Sequence, residues 1–210
     1  RNIGEIDGLF DLIEHENIGR VCFYHFVPTG RGKENANDMP SHDQTRCAMD
    51  TILRRTRRLH YDGRNVEVLT VGNHADGAYL YRKLLRENPR QAQAAMTLLQ
   101  HNGGNRSGAG IASISWDGEV YPDQFWRNRT AGNVCEMNFS NIWAQSSEHT
   151  LLGQLRNRKE HLHGRCRHCR FLDICNGNLR VRSEALGKGL WGDDPACYLT
   201  NEEIQWENKP

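Results

Sequence analysis

The chain has 210 residues, 27 Lys and Arg against 26 Asp and Glu, a formal net charge of +1, 37% apolar residues and a mean hydropathy of -0.76. That length allows one large domain or two small ones with a sizeable core, near-neutrality removes the bulk electrostatic case for nucleic acid, and no window approaches the roughly 18 apolar residues of a membrane span. The opening RNIGEIDGLF shows no charged leader, no apolar h-region and no starting Met, so the expectations are a cytoplasmic protein and a fragment of something longer.

Two strand-like runs come early, VCFYHFV (21–27) and VEVLTV (66–71). Between them MDTILRRTRRLHY places Met49, Ile52, Leu53, Thr56 and Leu59 on one helical face, with Arg54, Arg55, Arg57 and Arg58 largely outside it. Strand, loop, helix, strand predicts a βαβ unit with parallel strands. Ligands in such architectures bind at the carboxyl ends of strands, here PTGRG and GNHADG, so Arg31 and His74 are the candidate substrate contacts. AYLYRKLLREN, closed by Pro89, and RQAQAAMTLLQH read as helices. NGGNRSGAG, with four Gly in nine residues, is either a close approach to a ligand or a linker. IASISW-DG-EVYP reads as a hairpin around Asp117-Gly118, and FSNIWAQSSEHTLLGQLRN as a helix-like segment. The division expected is 1–103 for the α/β part and 104–210 for a small, loop-rich, cysteine-dependent part.

Seven cysteines are present, and four gather as Cys166-x2-Cys169-x5-Cys175-x21-Cys197. A C-x-x-C pair brings two sulfurs to one centre, and two further thiolates complete a four-coordinate set. The spacing leaves zinc and an iron–sulfur cluster both open. Arg165, Arg167, Arg170, Arg180 and Arg182 would offset the charge of either, and His161, His163 and His168 are expected on its solvent side.

C-x2-C-x5-C, followed by NGNLRVR and DDPACYLTNEE, resembles the C-terminal auxiliary-cluster domain, of SPASM or twitch type, of radical S-adenosylmethionine enzymes. FYHFVPTGRG, TVGNHADG, GGNRSGAGIASISWDGEVYPDQFW and GNVCEMNFSNIW extend the resemblance to the radical enzymes of haem d1 biosynthesis, with haem-precursor decarboxylases as the nearest alternative. A zinc-stabilised binding module without catalysis is the competing reading. The resemblance implies an α/β chain: the C-terminal end of a partial (β/α)6 barrel, followed by a small α+β SPASM/twitch-like domain. It implies an auxiliary [4Fe–4S] cluster on Cys166, Cys169, Cys175 and Cys197. Larger SPASM domains hold a second auxiliary cluster through a cysteine where this chain has Asp123, so one auxiliary cluster is expected. Cys135 is expected to be a structural thiol.

The chain has no C-x3-C-x2-C motif, so the S-adenosylmethionine-binding [4Fe–4S] cluster is expected on an upstream half-barrel, and this piece alone would be inactive. It is also expected to behave poorly alone, with strand edges exposed. For the intact enzyme the resemblance implies hydrogen abstraction from a propionate of a sirohaem-derived, didecarboxysirohaem-type tetrapyrrole. The propionate is lost and an oxo group eventually replaces it, with an external electron donor. The auxiliary cluster would transfer electrons or position the substrate.

Overall fold

A computed structural model describes residues 2–145 and 147–205. Ile6, Phe10 and Ile13 recur at helical spacing and form the buried stripe of α1 (Ile6–His15), a helix the sequence reading did not place. The two early runs become β1 (Arg20–Tyr24) and β2 (Glu67–Val71), which pair in parallel from Arg20↔Glu67 to Tyr24↔Val71. The connecting helix α2 runs His42–Tyr61 and starts well before its apolar repeat. Ser41 accepts from the Gln44 N–H while Gln44 reaches back to the Ser41 N–H, a capping box that satisfies two otherwise orphaned donors. Most of the loop before it, Gly30–Asp38, is 3-10 helix interrupted at Asn35.

One expectation on α2 is corrected. Arg54, Arg57 and Arg58 point outward as predicted, but Arg55 is only 8% exposed. Its guanidinium reaches Asp7, Asp11 and Glu14 of α1 at 3.2, 2.7 and 2.7 Å and lies over the Phe10 ring. Three acids on the facing helix hold one cation at the helix–helix seam, which helical periodicity cannot anticipate.

Next come α3 (Ala75–Glu87) and α4 (Pro89–Asn102). Asn88 caps α4 through the Gln91 N–H, and Pro89 sits at its first turn, where its missing N–H costs nothing. The hairpin forms as read: β3 (Ser113–Ile114) pairs antiparallel with β4 (Glu119–Tyr121), and β5 (Gly132–Asn133) adds a third strand. Gly118 turns the tip at φ +85°. The helix-like segment is two short helices, α5 (Phe139–Trp143) and α6 (Leu151–Arg156). The cysteine region is built from α7 (Arg158–His161), α8 (Gly164–Arg167), α9 (Leu172–Cys175), α10 (Arg180–Ala185) and α11 (Asn201–Ile204).

The described residues therefore form a mixed helix-and-sheet architecture with a two-stranded parallel and a three-stranded antiparallel sheet. One apolar cluster runs from Ile6, Phe10, Met49 and Leu59 through Ala78 and Tyr79 to Phe171, Ile174, Tyr198 and Ile204. Each such side chain contributes about 1.5–3 kcal/mol by leaving water, so the cysteine region is held by the core of the α/β part. Trp126, Leu155, Leu179 and Val181 make a second cluster under the hairpin.

Glu203 joins α11 to α2. It caps its own helix and receives the Arg46 guanidinium at 2.6 Å, with its side chain 13% exposed. Hydrogen bonding from Arg46, against a smaller opposing effect of burial, holds its carboxyl down at about 2, below the ordinary 4.5. A depressed carboxyl stabilises the fold above the unfolded value, and that stability is lost as pH falls from about 4.5 toward 2. Glu203→Gln is expected to lower stability at pH 7 and to flatten the pH dependence in that window, measured by urea denaturation at successive pH values.

Candidate metal centre

Cys166 lies on α8, Cys169 just after it, Cys175 at the end of α9, and Cys197 in the loop before α11. All four line one narrow opening that is partly continuous with solvent. The rest of its wall is largely apolar, including Ala75 and Ala78 of α3 with Phe171 and Leu199.

Local backbone explains how four sulfurs converge. Three consecutive residues after Cys175, Asn176, Gly177 and Asn178, have φ of 53°, 72° and 58°, which ends α9 and turns the chain sharply toward α10. The Asn-Gly-Asn sequence suits that run, since these are the residues that tolerate the left-handed region best. Gly104 approaches from the other side at φ +71°, so close that a Cβ would stand 2.4 Å from the Cys175 carbonyl carbon. The glycine-rich stretch is thus a close-packed brace for the cysteine turn: Asn105 N–H donates to Cys175 O, and the Asn176 side chain donates to Asn105 O.

Two adjacent acids place the remaining cysteines. Asp193 accepts from the Cys166 N–H at 3.0 Å. Asp194 accepts from Nε and Nη2 of a fully buried Arg182, each at 2.8 Å, together with the N–H groups of Leu179 and Ala196. Arg182 spends a further donor on Gly72 O, just past β2. The GNHADG segment, read as a substrate site, also clamps this region. Asn73 donates to Ala196 O and accepts from Asn178, and the His74 N–H donates to Asn178 Oδ1.

Burial pushes the Cys166 and Cys197 thiols up to about 11 and raises those of Cys169 and Cys175 too. Arg180 opposes the shift at Cys166 and Arg165 at Cys197, while the thiolates raise one another at Cys175. Backbone N–H groups of Asp194, Phe171 and Leu199 point at Cys166, Cys169 and Cys197. Four largely buried thiols, three of them receiving N–H bonds, are a donor set that ionises only around a cationic centre. Among the described residues no three of His, Cys, Asp and Glu converge tightly enough for a single metal ion. A tetrahedral zinc would draw its four sulfurs to roughly 3.8 Å of one another, given Zn–S of about 2.3 Å. Four thiolates without a His or carboxylate partner suit an iron–sulfur cluster as they suit zinc.

The other candidates fall in different places. Arg31 is exposed on the 3-10 segment after β1. His74 precedes α3, and burial pushes its imidazole down to about 4, so at neutral pH it carries no charge. A histidine with a buried acid partner is His25, which falls inside the first strand-like run of the sequence. Its Nε2 lies 2.8 Å from Asp76, whose other oxygen accepts from Tyr198 OH at 2.8 Å. Arg167, Arg170, His163 and His168 are exposed, while His161 is half-buried and packs on Trp191. Cys135 is exposed, which removes a packing role for its thiol. Asp123 is buried, accepting from Ser107 Oγ and the Phe125 N–H, and serves as a turn anchor.

Residues 106–170 match the SPASM family, described as an iron–sulfur cluster-binding domain. The chain is 52% identical over 207 residues to the Fe-coproporphyrin III synthase of Methanosarcina barkeri, covering 97% of this chain and 52% of that protein. It is 35% identical over 206 residues to the pre-heme d1 synthase of Dinoroseobacter shibae, covering 97% and 50%. It thus spans about half the length of the curated relatives it matches. Residues 106–170 are thus similar to iron–sulfur domains of the SPASM type. Its resemblance to the radical S-adenosylmethionine enzymes that make tetrapyrroles is borne out.

Asp194→Asn would leave Arg182 buried with its counter-charge gone and one of its two acceptor oxygens lost. A loss of about 3–5 kcal/mol is expected, in line with breaking a buried ion pair from one side. The readouts are the denaturation midpoint and the iron content after anaerobic reconstitution, and both should fall.

Proposed function

We propose that this chain is the C-terminal portion of a radical S-adenosylmethionine enzyme that trims side chains of a didecarboxysirohaem-type tetrapyrrole. In this reading β1 and β2 are the last strands of a partial (β/α)6 barrel, and residues 104–210 form the auxiliary-cluster domain. The S-adenosylmethionine site and its own [4Fe–4S] cluster belong to an upstream half with the C-x3-C-x2-C motif, in a cytoplasmic enzyme served by a low-potential electron donor. The observation that carries the reading is the ring of four buried thiols within a chain matching tetrapyrrole synthases over 97% of its length.

Cys166, Cys169, Cys175 and Cys197 would hold one auxiliary [4Fe–4S] cluster, which when bound supplies one-electron redox chemistry close to the substrate. With four thiolates engaged, no coordination position is left for substrate, which favours electron transfer over direct ligation. The residues around it do the rest. Ala75, Ala78, Phe171 and Leu199 keep water from the sulfurs, and the backbone N–H groups stabilise their charge. Arg31 is a charged donor for a substrate carboxylate, whereas neutral His74 serves at most as an N–H donor.

Two products are open to this chemistry. The haem d1 branch, with propionate loss and oxo formation, is supported by the pre-heme d1 synthase relative. Formation of an Fe-coproporphyrin III product is favoured by the higher identity, 52% against 35%, over the same stretch. Full-length enzyme incubated anaerobically with didecarboxysirohaem, S-adenosylmethionine and a reductant decides between them by product mass. The expected product has the mass of Fe-coproporphyrin III. An oxo-bearing product would restore the haem d1 branch, and unchanged substrate with a colourless, iron-free protein would sink the proposal.

A further inference from the structure

Two of the buried arginines among the described residues sit on acids: Arg182 on Asp194 and Arg55 on three carboxylates. Two do not. Arg158, on α7 and 1% exposed, donates to Leu155 O, Ser107 O and the Asn105 side-chain oxygen. Arg180, opening α10 and also 1% exposed, donates to the carbonyls of Gly177, Leu190 and Gly192, and its buried Nε has no partner. Among the described residues neither has a carboxylate within ion-pair distance. They are also close enough to repel: burial first, then Arg180, pushes Arg158 down to about 10.

An unpaired buried charge costs several kcal/mol, and two side by side cost more. Asp123 acts on Arg158 from a distance, but Ser107 and the Phe125 N–H occupy its oxygens, and one acid does not balance two cations. The missing negative charge has an evident location. Arg180 holds the carbonyl of Gly177, which lines the thiol opening, and Arg158 holds Asn105, whose N–H donates to Cys175 O, so both cations lie against the cysteine turn.

We propose that Arg158 and Arg180 are the fixed counter-charges of the cluster the four cysteines would hold, and that they raise its reduction potential by stabilising the more negative, reduced state. The inference rests on the auxiliary-cluster reading above. Cation and anion then compensate each other: the arginines stay buried and charged, and added electron density meets two guanidiniums instead of bare low-dielectric protein. Carbonyl-only partners leave both charges unquenched, as such a role requires.

The test is a dithionite titration of reconstituted full-length enzyme, followed through the electron paramagnetic resonance signal that Cys197→Ala abolishes. Arg158→Gln and Arg180→Gln are each expected to lower the reduced-to-oxidised ratio at fixed potential about tenfold, a shift of 59 mV to more negative values for one electron. Arg158→Lys and Arg180→Lys, which keep charge but not the carbonyl bonds, should titrate close to wild type, and exposed Arg54→Gln should do the same. Should the Gln variants fail to fold, near-isosteric Asp123→Asn provides the opposite arm: removing an acid near Arg158 should move the potential to more positive values. Loaded Gln variants with unmoved potentials, Lys variants that shift as far as Gln, or an Asp123→Asn shift of the wrong sign would overturn the inference alone. An iron-free wild-type enzyme would overturn the cluster reading with it.

Discussion

The buried Arg182–Asp194 pair is the contact on which the centre depends. Both side chains are fully withdrawn from water, so their attraction must offset a desolvation cost of several kcal/mol per ion. It can do so because every strong site is used. Asp194 takes two guanidinium nitrogens and two backbone N–H groups, and Arg182 gives a further donor to Gly72. One ion pair thereby ties three distant stretches: the chain just past β2, the start of α10 after Cys175, and the loop that delivers Cys197. The pair contributes specificity more than net stability, since the sulfur ring requires all three stretches in one relation.

That relation is anchored in the larger core. α9 packs on α3 and α4, and Phe171 and Ile174 belong to the same apolar cluster as Phe10 of α1. Ala75 and Ala78 of α3 form part of the wall around the thiols; longer side chains there would fill the opening. His25, Asp76 and Tyr198 add a polar thread from the end of β1 through α3 to the residue after Cys197. The strand ends, where a substrate is expected, and the cysteine ring therefore share rigid supports.

Much of this was legible in the sequence because the signals are local. The β-branched runs, Asp117-Gly118 and the cysteine spacing each act over a few residues. The Ser41–Gln44 capping box and the Ile6, Phe10, Ile13 repeat were equally local and still went unread, since the first lies in a loop-like, polar stretch and the second is a single short stripe interrupted by Gly8. What could not be read is long-range. Arg55 finds its acids 41 to 48 positions away, and His25 and Tyr198 meet at Asp76 across 51 and 122 positions. GNHADG reads as a strand-end binding segment, but Asn73 and the His74 N–H hold the cysteine turn.

The R-V-R of α10 shows most directly why composition near a metal motif says little about electrostatics. Arg180 and Arg182 are two positions apart and equally buried, and a sequence reading assigns both the same duty. The loop from Leu190 to Asp194 separates them. It turns its carbonyls toward Arg180 and its one buried carboxylate toward Arg182. Arg182 is thereby neutralised and becomes structural, while Arg180 keeps its charge unpaired beside the cysteine turn. Arg158 joins it from outside the motif altogether, brought there by the brace of Asn105 and Ser107. The charge that matters at a buried centre is the charge left uncompensated, and only the packing of the chain decides which residues those are.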